Sequence, residues 1–263
     1  ALAAVKAQIQ LERDRLRAES LSFGLAGGTV RGRFELSGGA PLRVAWRGEA
    51  DALSIDALAA LRGASGYVRG GRVNMRASLD ASGRTPRQLA ASLDGSALLW
   101  ANDTALTGSA TVMEHNIVVA LLQALLPRQE AAQALKIDCA VVNLALHDGV
   151  ARIDRTIAME TDRVAVAASG ELNLAAQTVT LNFQPVVKKG LGLDSSANLA
   201  KLVMLEGPLH DPRIGIDVKG TAREAASLGA AVATAGLTLV GKRLLSGPED
   251  TQVCKRAMGQ AAR

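Results

Sequence analysis

Two cysteines, Cys139 and Cys254, and three histidines, His115, His147 and His210, are the residues of this chain best suited to metal or redox chemistry. Zinc sites draw such ligands from short-spaced pairs, and thiol redox centres use a CxxC spacing; neither occurs here. His147 precedes Asp148-Gly149 in a stretch that reads as a hairpin turn. His210 and Asp211 stand beside Pro212 in a loop. Both histidines therefore read as exposed turn residues, and no metal ligand is assigned. Covalent catalysis would need an activated nucleophile. Ser54 and Ser195-Ser196 lack the G-x-S-x-G elbow that presents a serine to a base, and no clustered acid–base pair is visible. No catalytic residue and no cofactor is assigned. The two cysteines allow one intramolecular pairing. Their spacing alone does not choose between that bond and a small buried Cys139 with a free Cys254 thiol.

The remaining residues must then be read for the surfaces they build. The chain has 263 residues, 48% of them hydrophobic but only 2% aromatic, so the apolar content is mostly Ala, Leu and Val. With 26 glycines, this favours a thin repetitive sheet over a thick aromatic core. The net charge is +5, from 30 basic against 25 acidic residues. Its densest basic group, Arg13, Arg15 and Arg17, is interrupted by Glu12 and Asp14. No basic patch interleaved with aromatics appears, so nucleic acid is not expected as a partner. No leader is read at Ala1. The apolar window Ala225–Val240 is short and rich in Ala and Gly, and reads as an amphipathic or packed helix.

Alternation at period two, the mark of a strand with one apolar face, recurs along most of the chain. Val5, Ala7, Ile9 and Leu11 begin it, although Val5, Ile9 and Leu16 also fit a helix, and the strand is preferred. Leu21, Phe23 and Leu25 lead through a Gly27-Gly28 turn to Val30, Phe34 and Leu36, a hairpin with a primed-type turn. Leu42, Val44 and Trp46 follow, and then a short helix over Asp56–Leu61 with Asp56 as its cap. Gly70-Gly71 reads as a turn before Val73, Met75, Ala77 and Leu79. Thr85-Pro86 opens a two-turn helix ended by Gly95, and Ala97–Trp100 opens another strand. Ile117–Leu126 is the one long apolar helical run, to be covered by a sheet, a partner or lipid. Strands return from Ile137. The stretch VAVAASGELNLAAQTVTLNFQP places Val164, Val166, Leu172 and Leu174, then Val179, Leu181 and Phe183, on one side of an antiparallel hairpin turning at Ala175-Ala176-Gln177. Arg213–Val218 is a last strand and Ala222–Leu245 a helix. Short turns between strands exclude βαβ crossovers. The expected fold is mainly β: an elongated, curved, mostly antiparallel sheet with short covering helices and a C-terminal helix.

The segments AGGTVRGRFELSG and SGRTPRQLAASLDGSALL carry a further pattern. So does CAVVNLALHDGVARIDRTIAMETDRVAVAASGELNLAAQTVTLNFQP, followed by LEGPLHDPRIGIDV. In this order they resemble the C-terminal region of the AsmA family of bacterial envelope proteins, which is similar in architecture to bridge-like lipid-transfer proteins. Trp100-Ala101-Asn102-Asp103 departs from the family pattern, where a glycine turn is usual, and a wider turn is expected there. The resemblance implies residues 1–220 as a β-rich region with an apolar face or groove. Residues 221–263 would be an Ala-rich helix and polar tail packing on the end of the sheet. It implies a non-catalytic envelope-biogenesis protein at the periplasmic face of a Gram-negative inner membrane, held by an anchor absent from this chain. Phospholipid or another envelope lipid would be the ligand, and envelope proteins further partners.

Small aliphatic side chains suit acyl chains, since each buried methylene contributes about 0.8 kcal/mol without a polar anchor. The lipid-facing or core strand residues on this reading are Val73, Met75, Leu79, Val164, Val166, Leu172, Leu174, Val179, Leu181 and Phe183. A closed core in a structural or interaction module is the alternative, and it requires those side chains to be covered by protein. An oxidising periplasm would also let Cys139 and Cys254 persist as a disulfide, pinning the C-terminal helix across the end of the sheet.

Overall fold

The computed structural model describes residues 2–61, 68–106, 135–162, 164–187, 203–216 and 252–259. Among them the chain runs β1 (Leu2–Glu12), β2 (Arg15–Leu25), β3 (Gly28–Ser37), β4 (Leu42–Ser54), α1 (Ile55–Leu61), β5 (Val68–Gly83), α2 (Pro86–Ala91) and β6 (Asp94–Leu106). It continues with β7 (Leu135–His147), β8 (Val150–Thr161), β9 (Val164–Asn173), β10 (Thr178–Val187), β11 (Val203–Pro208), β12 (Arg213–Ile216) and α3 (Val253–Gly259). The strands form one open 12-stranded sheet in strict sequence order, and every neighbouring pair is antiparallel. The mainly β, antiparallel architecture read from the sequence is the one observed. The expected helices over Ile117–Leu126 and Ala222–Leu245 lie outside the described residues.

Paired residues share a face, so the register sorts the side chains. One row runs Phe23–Val30–Ala50–Met75–Leu99–Val142, and its neighbour runs Ala18–Phe34–Trp46–Leu79. The same side continues through Met159–Val166 and Ala168–Phe183. This side is apolar from β1 to β11. The other side of β2–β6 carries Arg17–Glu35, Arg31–Glu49–Arg76 and Arg47–Ser78–Ser96. A strict period of two fails at several places, among them in β1 and β7. Bulges fall between Ala18 and Leu21, Ala50 and Leu53, and Asp154 and Ile157. The first two each insert one extra residue, which brings the next apolar side chain back to the same face, whereas the third inserts two and leaves the phase unchanged. Ala52 and Arg155 take positive φ there, at 54° and 58°. The Ala52 N–H donates to Asn74 Oδ1 at 2.9 Å, which holds the β4 bulge.

Several local readings need correction. The first primed turn is at Ala26-Gly27, both at positive φ, one residue before the expected pair. Gly70-Gly71 is no turn; both lie inside β5, and the ladder to β6 continues on either side. Glycine is needed at position 71 because a Cβ would strike the Thr104 hydroxyl of the adjacent strand. Gly95 does not end α2 but pairs with Leu79 within β6. Residues 100–103 form no wide turn either; β6 runs straight through them. Leu174 leaves the strand and sits in the β9–β10 turn, closed by the Ala176 N–H donating to Asn173 Oδ1 at 2.8 Å. The cap of α1 is Ser54, whose hydroxyl accepts from Ala57 N–H at 3.2 Å. Asp56 lies beside it, 3.0 Å from the same hydroxyl. Its carboxyl is held below the ordinary value, first by its own backbone N–H and then by Ser54. At α2 the expected cap is present, Thr85 accepting from Gln88 N–H at 3.2 Å with Pro86 following.

Two glycines separate backbone conformation from close approach. Gly170 in β9 has φ 149° and a Cβ there would collide with the Thr180 carbonyl oxygen, whereas Gly27 has φ 76° with nothing within 4 Å. Gly170→Ala should therefore lower stability by about 1–3 kcal/mol, the scale of stored backbone strain plus a forced strand shift. Gly27→Ala should cost about 1 kcal/mol. Urea denaturation midpoints check the order, and equal losses would show that the β9–β10 approach is not limiting.

Candidate functional site

The apolar side of the sheet is covered to different degrees along its length. At its C-terminal half Val164, Val166, Val179, Leu181 and Phe183 are all buried, with Ile153, Ala168 and Val203 in the same cluster. Leu172 is partly buried against that cluster, and Leu174 is half-buried in its turn. These side chains face one another across β8–β11 and form a core. Val73, Met75 and Leu79 stand on the same side in β5 but are only half-buried. Val73 and Met75 pack against Val30, Ala50 and Leu53 under Leu58 of α1. The predicted set thus occupies one face but splits into a covered group and a half-open group. At the first strand, Leu2, Ile9 and Leu11 are 67%, 64% and 79% exposed; their partners Leu25, Ala18 and Leu16 belong to the apolar side.

The opposite face carries the cysteines. Cys139 in β7 and Cys254 in α3 are disulfide-bonded, with α-carbons 6.5 Å apart and a sequence separation of 115. The bond lays α3 over β7 and β8, not at the last strand β12. Cys254 and Ala257 bury against Val141 and Ala158, with Leu98 and Trp100 beside them. A seven-residue helix buries too little to hold itself, so polar contacts locate both of its ends. Glu160 Oε1 accepts the Cys254 N–H at 3.0 Å. Asn143 Nδ2 donates to the Ala257 carbonyl at 2.8 Å, which satisfies one of the unpaired carbonyls of the last turn. Asn143 is 2% exposed, and Thr161 clasps the β8–β9 connection by accepting from Val164 N–H at 2.9 Å. The sequence reading missed Asn143, Glu160 and Thr161. Their only signal was a polar residue at a phase shared with apolar ones, such as Asn143 with Val141.

Cys139, Glu160 and Cys254 bring ligand atoms within 4.8 Å of one another. The two sulfurs are spent on their own bond, so the group offers no thiolate to a metal. His147 is exposed at the β7–β8 turn, 3.9 Å from Asp94, and His210 is exposed in the turn before Asp211. His115 lies outside the described residues. No helix among the described residues is long and apolar enough to cross a membrane.

A family model described as the AsmA family matches residues 1–156, which is β1 through the first half of β8. The match takes in the first two strands and leaves β9–β12 and the Cys254 helix outside it. No curated protein and no solved structure matches the chain.

The pinned helix can be tested by releasing it. Cys254→Ser should lower stability by roughly 2–4 kcal/mol, the usual worth of a native disulfide. Asn143→Ala should cost about 1–3 kcal/mol, since it strands the Ala257 carbonyl. Thermal melts of the oxidised proteins measure both. Thiol labelling of the unfolded, unreduced parent should find no free cysteine.

Proposed function

The chain belongs to the AsmA family, and on that footing we propose that it is a non-catalytic protein of the bacterial envelope. It holds the acyl chains of a phospholipid or other envelope lipid on the apolar side of its sheet. It works at the periplasmic face of the inner membrane, on the path between inner and outer membranes. The observation that carries this reading is the continuity of the apolar side. Its rows run without a polar interruption from Phe23 through Met75 to Val142, across six strands. Adjacent strands lie about 4.8 Å apart, so such a row spans about 24 Å, the length of an acyl chain, with Val30 and Ala50 along it buried under α1. Each methylene laid on it contributes up to about 0.8 kcal/mol. The half-buried part, around Val73, Met75 and Leu79, is where a lipid finds room. The buried part, around Val166 and Phe183, is core that supports it.

A second reading has its own support. The burial of Val164, Val166, Leu181 and Phe183 suits a structural or protein-interaction module of the periplasm with a closed core. The two readings part at β5. Met75→Asp should leave the β circular-dichroism spectrum in place and keep a cooperative melting transition, lowered but present, because Met75 is only half-buried. It should reduce co-purified lipid, measured by mass spectrometry, by about tenfold or more, equivalent to 1.4 kcal/mol. Val166→Asp should abolish cooperative folding, because an unpaired carboxylate would be buried in a packed core. A folded Met75→Asp protein with undiminished lipid, or a parent protein with none, would favour the closed module.

A further inference from the structure

We propose that the polar side of the sheet carries a binding site for a phosphate-bearing group, built around Arg33, Arg47 and Arg76. The site is independent of the apolar side, because the sheet itself separates the two. A cavity of about 690 Å³ opens on this side between the strands and α3, within the usual range for small-ligand sites. Four arginines line it against two glutamates, Glu19 and Glu49, and the pairing among them is incomplete. Arg31 is bound to Asp51 at 3.3 Å and to Glu49 at 3.9 Å. Arg47 is bound to Asp80 at 2.8 Å. Among the described residues Arg33 and Arg76 have no carboxylate in ion-pair reach. Arg76 instead lies over the Trp100 ring, 5.4 Å from its centroid, which fixes the guanidinium plane without neutralising it.

Register makes this arrangement costly without an anion. Arg33 in β3 stands directly opposite Arg47 in β4, and like charges so placed repel across a sheet. Asp80 serves Arg47 alone. The next residues along that row are Ser78 and Ser96, which add hydroxyl donors at the cavity floor. Guanidinium forks flanked by hydroxyls match the oxygens of a phosphate monoester or diester better than a single carboxylate. Met258 of α3 lines the far side, so the disulfide that holds this helix also fixes one wall of the site. The phosphate can belong to a soluble ester or to a lipid headgroup presented at a membrane surface.

Calorimetry with glycerol 3-phosphate and with inorganic phosphate tests the soluble source. Co-sedimentation with phosphatidylglycerol vesicles, against phosphatidylcholine vesicles, tests the headgroup. The double variant Arg33→Gln, Arg76→Gln should weaken whichever binding is found by about tenfold or more, the loss expected for two charge-assisted contacts. Arg152→Gln, an exposed arginine of β8 outside the cavity, should change it less than about twofold, as a surface charge far from the ligand does. Binding of the soluble phosphates assigns the site to a soluble ester, and binding of anionic vesicles alone assigns it to a headgroup. Arg33→Gln should also raise the melting temperature of the ligand-free protein at low salt, with the gain fading at high salt. Absence of binding to every probe overturns the proposal. So does equal weakening by Arg152→Gln, which would mean bulk charge alone.

Discussion

Everything in this molecule depends on keeping the strand register in phase across a sheet that has no crossovers. Each strand pairs only with its sequence neighbours, so a slip of one residue anywhere would turn all its apolar side chains to the polar face. The one-residue bulges of β2 and β4 show how phase is kept when the sequence breaks step. Between Ala50 and Leu53 the chain adds one residue relative to Met75 and Val73. Ala52 takes up the distortion at positive φ while Asn74 holds its amide. Without that insertion Leu53 would face the arginines, and Val73 would lose its neighbour. The β8 bulge between Asp154 and Ile157 holds two extra residues, so Ile153 and Ile157 stay on the side of the core, where period two alone would also place them.

Those bulges also mark where the sequence was and was not legible. Where alternation is unbroken, as in Val164–Ala168 and Val179–Phe183, strand, face and antiparallel partner could be read directly, because period two admits one solution. Glycine was harder. Gly27 and the pair Gly70-Gly71 look alike in sequence, yet one closes a hairpin and the other lies within a continuing strand. The difference is Thr104, whose side chain occupies the space a Cβ at position 71 would need, and no local pattern announces a neighbour 33 residues away. The degree of covering was likewise out of reach. Val73 and Val166 carry the same alternation signature, but one is half-buried and the other buried, since covering depends on what packs above the sheet.

The two faces are held by different physics. On the apolar side the covering is additive and non-directional, so packed regions at β8–β11 and β3–β4, a half-buried β5 and the exposed Leu11 on β1 are all tolerated on one face. On the polar side, charge must be balanced locally. There Arg15 and Arg17 share Glu35 at 3.2 and 3.5 Å, and Arg47 takes Asp80. These exposed pairs contribute little stability each. Their effect is to fix where side chains lie, and among the four arginines of the cavity Arg33 and Arg76 are the two without an ion pair.

The disulfide joins these two regimes. α3 brings one apolar patch to the polar side, and Val141, Ala158 and Trp100 receive it there. So short a helix has no independent stability, and it lies beyond the family-matched residues. The chain therefore fastens a C-terminal element covalently onto strands that the family match does include, since Cys139 falls within it. That fastening leaves the apolar side of β7 and β8 untouched, because Cys139 and Val141 alternate with Ala140 and Val142. A helix laid on the other face would have competed for the surface that the continuous rows occupy. By sitting behind the sheet, α3 covers Val141 and Ala158 and leaves the apolar side of the middle strands uncovered by it.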